Sequence, residues 1–559
     1  ATQRLGWSLG FGLLLLLGGL SGAAVLCRPA GEAAVQVAAV PVTNAQRLRW
    51  TLLALVPSGL LLSTTTHLTT DLMAMPLLWV IPLAVYLLSF IIAFSPVGRR
   101  GTAIAVAASP ALLIVVGTSV FMGGVFAAAY AVAGVVLLLA VAVALHGTLA
   151  AEQPAAGSLT EYYLWISVGG ALGGLFCALI APLVFNWGYE HPLLVLAAAL
   201  LVPTTPVLQP QGRVGSVMLW IAPLLSLMLS LLALRSPGST ALIVISLPIF
   251  VLAALSIGRR WLFTIHILML MLALGGWTQI TSSGVVDRTR SFFGIYATTD
   301  APDGSRRTLA HGTTIHGVES LAPATLLRPT TYYAPQSGVG RVFAAAPALF
   351  GDRARMAFVG LGSGTLACYA RPGQSWTAFE IDPAVIGIAR DRKLFRYIDQ
   401  CKPDMKMVVG DARLMLSKVA ANSFDVLAVD AFSSDAIPLH LMTHEAFAVY
   451  GRALGPDGVL MVHITNRFLD LEPVVAAIAR AEGWSARARR YMPPDAQPAG
   501  VFDTKSNWIV LAKSPERLEA VIPATGSAPG EWVPLRERPG MAAWSDDFAS
   551  ILPVLGNKF

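Results

Sequence analysis

Apolar runs crowd the first 280 residues of this chain at lengths that suit a bilayer. A helix needs about 20 mostly apolar residues to cross the hydrocarbon core. Runs at 5–26, 50–68, 75–95, 102–121, 124–148, 161–186, 191–207, 215–234, 239–257 and 261–278 approach or meet that length. They predict an N-terminal multi-span α-helical membrane domain of about ten spans over 1–280. Charged residues make up only 13% of the 559, against about 25% in soluble proteins, and most lie beyond residue 285. The chain should therefore divide near "GGWTQITSSGVVDRTRSF" into an apolar half and a more polar one.

Polar residues inside or beside the spans are His67, Asp71, Glu161, Tyr162 and Tyr163. An ionisable group in a span marks a pathway or an anchor at the span end. Gly169, Gly170, Gly173 and Gly174 form overlapping GxxxG patterns that let helices approach closely. Arg28, Arg47, Arg49, Arg99, Arg100, Arg213, Arg259 and Arg260 fall on one side of a ten-span arrangement, and Arg4 and Arg235 on the other. The positive-inside rule makes the first side cytoplasmic. Ten spans would then put the C-terminal domain outside, whereas an odd number would keep it among cytosolic metabolites. Because the last spans are short, the expectation adopted is an odd number, in a bacterial inner membrane, with a cytoplasmic catalytic domain. No basic run is interleaved with aromatics, so a nucleic-acid partner is not expected. Cys27, Cys177, Cys368 and Cys401 are scattered without a CxxC pair, which suggests neither a zinc site nor a disulfide framework.

Residues 356–513 alternate strand and helix patterns: "RMAFVGLG", "SWTAFEID", "DMKMVVGDA", "FDVLAVDAF" and "GVLMVHITN" read as strands with helices between, and "ARARRYM" and "SNWIVLAK" as a closing pair. This order predicts an α/β doubly wound, Rossmann-like sheet with ligands at the C-terminal strand ends. Gly360, Gly362 and Gly364 form GxGxG directly after the first strand, where a ligand can approach the backbone. Glu380 ends the second strand, where a carboxylate can accept both hydroxyls of a ribose. "GDA" places Asp411 and Ala412 after the third, in reach of an adenine amino group. NAD and S-adenosylmethionine both fit, but "GLGSGT" lacks the third glycine of the dinucleotide pattern and matches the methyltransferase-type loop. Asp430 ends the fourth strand and Asp435 follows on a loop before Pro438.

The ordered set "GLGSGT", "FEIDPAVIGIAR", "VVGDARLML" and "FDVLAVDAFSSDAIP" resembles the polyamine aminopropyltransferases, the spermidine synthase family, over about 285–515. With the spans before it, the whole chain resembles bacterial membrane proteins described as fused spermidine synthase-like proteins. The resemblance implies a small β-hairpin unit over 285–345 that encloses substrate, a catalytic domain over 346–515 and a C-terminal extension over 516–559. It implies that Gly360, Gly362, Ser363, Gly364, Glu380, Asp411 and Ala412 hold decarboxylated S-adenosylmethionine as co-substrate, without a metal. Asp430 would then orient and deprotonate an amine such as putrescine, and Asp435 would hold it. Tyr332, Tyr333, Gln336 and His440 would line the acceptor pocket. Ser363 departs from the family, which usually has an aspartate there to clamp the donor's amine. Intact S-adenosylmethionine is therefore an alternative donor, for aminocarboxypropyl or methyl transfer or intramolecular cleavage. A third reading is a transporter with an adenosyl- or polyamine-sensing domain. The expected partners are the amine and the lipid bilayer, and self-association is left open.

Overall fold

The protein is described from a computed structural model, over residues 2–26, 41–72, 77–121, 126–208, 212–236, 239–282, 284–431 and 438–556. Each apolar run contains a helix, but their lengths differ. Among the described residues, five are long and apolar enough to cross a membrane: Asn44–Thr70, Gly98–Ser119, Ala127–Ala151, Ala156–Val184 and Arg260–Thr281. Ser8–Leu20, Val80–Ala93, Glu190–Leu201, Leu219–Leu234 and Ala241–Leu255 are shorter apolar stretches. The expectation of about ten spans is therefore met in part: Ser8–Leu20 and Leu219–Leu234 lie within longer helices, Thr2–Leu26 and Gly212–Leu234. At about 1.5 Å of rise per residue, a twelve-residue helix such as Glu190–Leu201 covers little more than half of a hydrocarbon core about 30 Å thick.

The glycine-rich helix Leu159–Leu175 packs on helix Asn44–Thr66 through two of its four glycines. A Cβ on Gly169 would stand 2.3 Å from the Thr51 carbonyl oxygen, and one on Gly173 would stand 2.5 Å from that of Leu55. A Cβ on Gly170 would meet nothing within 4 Å, and one on Gly174 would stand 3.9 Å from the Leu62 side chain, so these two leave the contact loose. Glu161 pairs with Arg47 at 2.6 Å at the span end, half-exposed, so it is an end anchor rather than a buried charge. His67 stacks on His191 with ring centroids 4.9 Å apart. The Asp71 side chain lies outside the described residues.

Beyond the last helix, β1 (Asp287–Arg290), β2 (Ile295–Asp300), β3 (Arg306–His311) and β4 (Thr314–Ser320) form a four-stranded antiparallel sheet in that order. It docks on the helical half through a buried ion pair between Arg290 and Glu190, 2.8 Å apart. At the β3–β4 turn, a Cβ on Gly312 would stand 2.2 Å from the Thr70 carbonyl oxygen.

The second sheet contains β5 (Arg355–Val359), β6 (Ser375–Glu380), β7 (Lys406–Val409), β8 (Phe424–Val429), β9 (Leu454–His463), β10 (Ser485–Tyr491) and β11 (Ser506–Ala512). Its order is β10-β11-β9-β8-β5-β6-β7. The pairs from β9 to β7 are parallel, and β11 and β10 add antiparallel edges. The five predicted strands and the closing pair are all present. Burial on both faces explains their near-continuous apolar sequences. Met356, Phe358, Trp376, Val426, Met461 and Trp508 fill one face; Ala357, Val359, Phe379, Leu427, Leu460 and Val462 fill the other. Residues beyond 515 pack onto the same core through Trp532, Trp544, Ile551 and Val554. The chain switches direction across the sheet between β5 and β8, and their C-terminal ends open the cleft where ligands bind in such sheets.

Cys368 and Cys401 are joined by a disulfide with Cα atoms 4.9 Å apart. This corrects the expectation drawn from cysteine spacing. The two lie 33 residues apart, and tertiary folding brings the turn Thr365–Tyr369 against helix Tyr397–Cys401.

Candidate active site

A cavity of about 730 Å³ lies at the β5–β8 switch point, between the large sheet and the inner face of the small one. One wall is the glycine loop. Gly360 has φ +87°, and a Cβ there would stand 2.1 Å from the Asp430 carbonyl oxygen. Gly362 has φ +53°, and its Cβ would stand 2.4 Å from the His316 carbonyl oxygen. Both positions therefore require glycine, on steric and dihedral grounds. Gly360 and Gly362 line the cavity. Ser363 does not: its Oγ lies 3.0 Å from Thr365 Oγ1, and the side chain packs against Gly317 of β4. Gly364 sits behind the loop against Ile398.

Glu380, at the end of β6, faces the cavity while its carboxylate stays anchored. Oε2 accepts the Leu361 N–H at 2.9 Å and Oε1 the Asp382 N–H at 3.0 Å. Burial holds its pKa above the ordinary carboxylate value, and these two N–H groups offset part of that rise. Each oxygen retains a lone pair, so the group can accept a pair of vicinal hydroxyls. Asp411 caps helix Ala412–Lys418 through Oδ1, which accepts the Leu414 N–H at 2.9 Å. Its Oδ2 lies 2.8 Å from His440 Nε2. His440 is thus brought to the Asp411 end of the cavity, and Ala412 lines that end too.

At the other end stands Asp430, whose side chain is 4% exposed. Tyr333 donates its hydroxyl to Oδ2, and His463 Nδ1 lies 2.7 Å from Oδ1. The His463 ring stacks between Tyr332 and Trp508, at centroid distances of 4.7 and 4.5 Å. Burial, then the Asp430 charge, pushes the Tyr333 phenol well above its ordinary pKa, so it remains a donor to the carboxylate. Hydrogen bonds to a charged acceptor are worth about 1.5–3 kcal/mol each, so the carboxylate's orientation is strongly held. The tyrosines themselves are fixed by Thr331, a β-branched residue with φ +57°. Its N–H donates to the Phe502 carbonyl at 2.7 Å, which holds the strained turn. His316 completes this wall, and burial lowers its pKa to about 4.

Tyr332 and Tyr333 thus line the cavity, whereas Gln336 points elsewhere and accepts from Arg341. Asp435 lies outside the described residues. His463 and His316 were not singled out in the sequence. For His463 a signal existed: "GVLMVHITN" ends a parallel strand with a histidine at the C-terminal edge. Among the described residues, no cluster of three or more metal-binding side chains occurs.

A second chamber of about 430 Å³ lies between the helical half and the small sheet. Ser63, His67, Glu190, His191 and Arg290 contribute to it. Phe293 and His311 border both cavities.

No family model matches the chain. A probable polyamine aminopropyl transferase of Bifidobacterium longum is 29% identical over 123 residues, covering 22% of this chain and 26% of that protein. A polyamine aminopropyltransferase of Vibrio vulnificus is 30% identical over 125 residues, covering 21% of this chain and 40% of that protein. The chain thus spans between about a quarter and two fifths of these relatives. Among solved structures, a probable spermidine synthase of Corynebacterium glutamicum aligns at 16% identity and a TM-score of 0.35, over 48% of this chain and 98% of that one. The spermidine synthase of Thermotoga maritima aligns at 16% identity and a TM-score of 0.31, over 42% of this chain and 75% of that one. Over about a fifth of its length, this chain is therefore similar to polyamine aminopropyltransferases.

Proposed function

We propose that the chain is a membrane-bound aminopropyltransferase that transfers the aminopropyl group of decarboxylated S-adenosylmethionine to an amine such as putrescine. The observation that carries this reading is the buried Asp430 carboxylate, held by Tyr333 and His463 in the same cavity as Glu380 and Asp411. On this reading one cleft serves a nucleoside at the Glu380–Asp411 end and an amine at the Asp430 end.

In this reading Glu380 accepts the ribose hydroxyls, and Asp411, oriented by its helix cap and His440, accepts from the adenine amino group. The amine nitrogen attacks the methylene beside the sulfonium. A C–N bond forms as the C–S bond breaks. The electron pair goes to sulfur, leaving neutral methylthioadenosine. Asp430 stabilises the incoming ammonium and accepts its proton as attack proceeds. Because sulfur is already a good leaving group, orientation supplies much of the remaining rate. The helices would anchor the enzyme in a bacterial inner membrane.

A second reading uses intact S-adenosylmethionine. It is favoured by the glycine loop itself: with Ser363 turned behind it onto Thr365 and Gly317, that position presents no carboxylate to the cavity that would repel the donor's own. Mass spectrometry of products separates the two. Purified protein would be given either donor, with and without putrescine. Spermidine and methylthioadenosine from the decarboxylated donor alone support the first reading. Methylthioadenosine from the intact donor supports the second. No turnover of either overturns both.

A further inference from the structure

The helical half has two distinguishable ends. Arg47 and Arg49, at the start of helix Asn44–Thr66, pair with Glu161 and Glu152 at 2.6 and 2.7 Å. Glu152 follows helix Ala127–Ala151, and Gly147 of that helix abuts Thr102. Arg99 and Arg100, which open helix Gly98–Ser119, therefore lie at the same end. The far end of that helix meets the helix beginning at Arg260: Gly117 faces Ile267, and Gly275 faces Phe121. The two helices run parallel, which brings Arg259 and Arg260 to the arginine end as well. Arg259 donates to the Leu208 carbonyl there, just before the helix that carries Arg213.

The small sheet and catalytic domain sit at the opposite end. Gly312 touches Thr70 there, Arg290 pairs with Glu190, and Arg288 donates to Gln279. Among the described connections between helices, Arg235 is the basic residue at that end. Arg288 and Arg290 belong to the folded domain, and long domains translocate largely regardless of their charge. Seven arginines thus mark the end remote from the catalytic domain. The positive-inside rule makes that end cytoplasmic.

The disulfide is an independent observation. Disulfides persist in oxidising compartments and are rare in the reducing cytosol. This one joins the turn that follows the glycine loop to the helix whose Ile398 supports Gly364. The same helix is held to β4 by the Tyr397 hydroxyl, which donates to the Val318 carbonyl at 2.8 Å. The cross-link therefore lies in the framework behind the proposed donor site.

We infer that the catalytic domain lies on the extracytoplasmic face of the membrane, with the framework of its donor site cross-linked by the Cys368–Cys401 disulfide. This rests on the membrane-bound transferase reading and changes its substrate pool: the acceptor is an amine outside the cytoplasm. The donor is a permanently charged sulfonium, so its supply requires a transmembrane delivery step. The disulfide forms by thiol–disulfide exchange with a disulfide-carrying oxidant. Cys368 and Cys401 together lose two electrons and two protons, and the oxidant's disulfide becomes a dithiol.

The test uses the full-length protein in native membranes, with Cys27 and Cys177 replaced by Ser. Ala421→Cys places a thiol on an exposed catalytic-domain loop, and Ala155→Cys places one on an exposed loop at the arginine end. A membrane-impermeant maleimide should label Ala421→Cys in right-side-out vesicles and lose that labelling in inverted ones. Ala155→Cys should show the reverse. In the natural sequence, rapid acid trapping followed by alkylation should modify Cys368 and Cys401 only after reduction. The opposite labelling pattern overturns the sidedness while leaving the membrane reading intact, as do free thiols at both positions in trapped cells. Release of the protein by carbonate washing overturns the membrane reading itself, and the sidedness with it.

Discussion

Replacing Asp430 with Asn changes little volume and removes one charge at the centre of the cavity. In the wild-type site both oxygens serve as acceptors, Oδ2 from the Tyr333 hydroxyl and Oδ1 beside His463 Nδ1. An asparagine offers one oxygen and one NH₂ group, so either the Tyr333 hydroxyl must face a donor or His463 must change tautomer to accept the NH₂ at Nδ1. With the site only 4% exposed, the mismatch should cost about 1–3 kcal/mol of stability. The catalytic effect should be larger. Removing a positioned proton acceptor costs about 10²–10⁴-fold, or about 3–5 kcal/mol of activation free energy. The assay follows methylthioadenosine release under saturating donor and amine, with a melting curve on the same preparation. Expected is a kcat loss of that size with the donor's KM nearly unchanged. A kcat within a factor of about three of wild type, in a folded variant, would refute proton transfer at Asp430.

Glu380→Gln should raise the donor's Kd by about ten-fold or more, because a charged acceptor of two hydroxyls is lost; titration calorimetry with the donor checks this, and unchanged affinity would remove Glu380 from the ribose site. Glu190→Gln leaves the buried Arg290 uncompensated and should destabilise the protein by about 3–5 kcal/mol, read as an earlier thermal transition in detergent. His316 supplies a pH dependence. Its folded pKa is about 4, below an unfolded value of about 6.5. Between these values the unfolded chain binds a proton that the folded one refuses. Its stabilising contribution is therefore complete above about pH 6.5 and is lost as pH falls toward 4. His316→Asn should flatten the stability profile in that window, and an unchanged profile would contradict the assignment.

Much of the architecture was legible because it is written in short-range patterns. Apolar run length separated the helical half from the rest, and strand–helix alternation gave all seven strands of the large sheet. Glu380, Asp411 and Asp430 could be located individually, since each stands where an apolar strand stops and strand ends form the cleft. Counting spans was less secure, because hydropathy alone does not set where a short helix begins and ends. Side-chain direction was not legible at all. Gln336 lies three residues from Tyr333 yet turns to Arg341, and Ser363 sits in the glycine loop yet packs behind it.

The sequence by itself determined the two-part architecture, the doubly wound sheet and the acidic residues at three of its strand ends, since all are set by periodicity and local spacing. Only the tertiary structure decided what those residues meet. Asp430 finds Tyr333 across 97 positions and His463 across 33, and Cys368 finds Cys401 across another 33. Such pairings depend on how the sheet twists and where the chain returns. Packing sets both, because burying the two faces of the sheet at once leaves the connecting segments few routes.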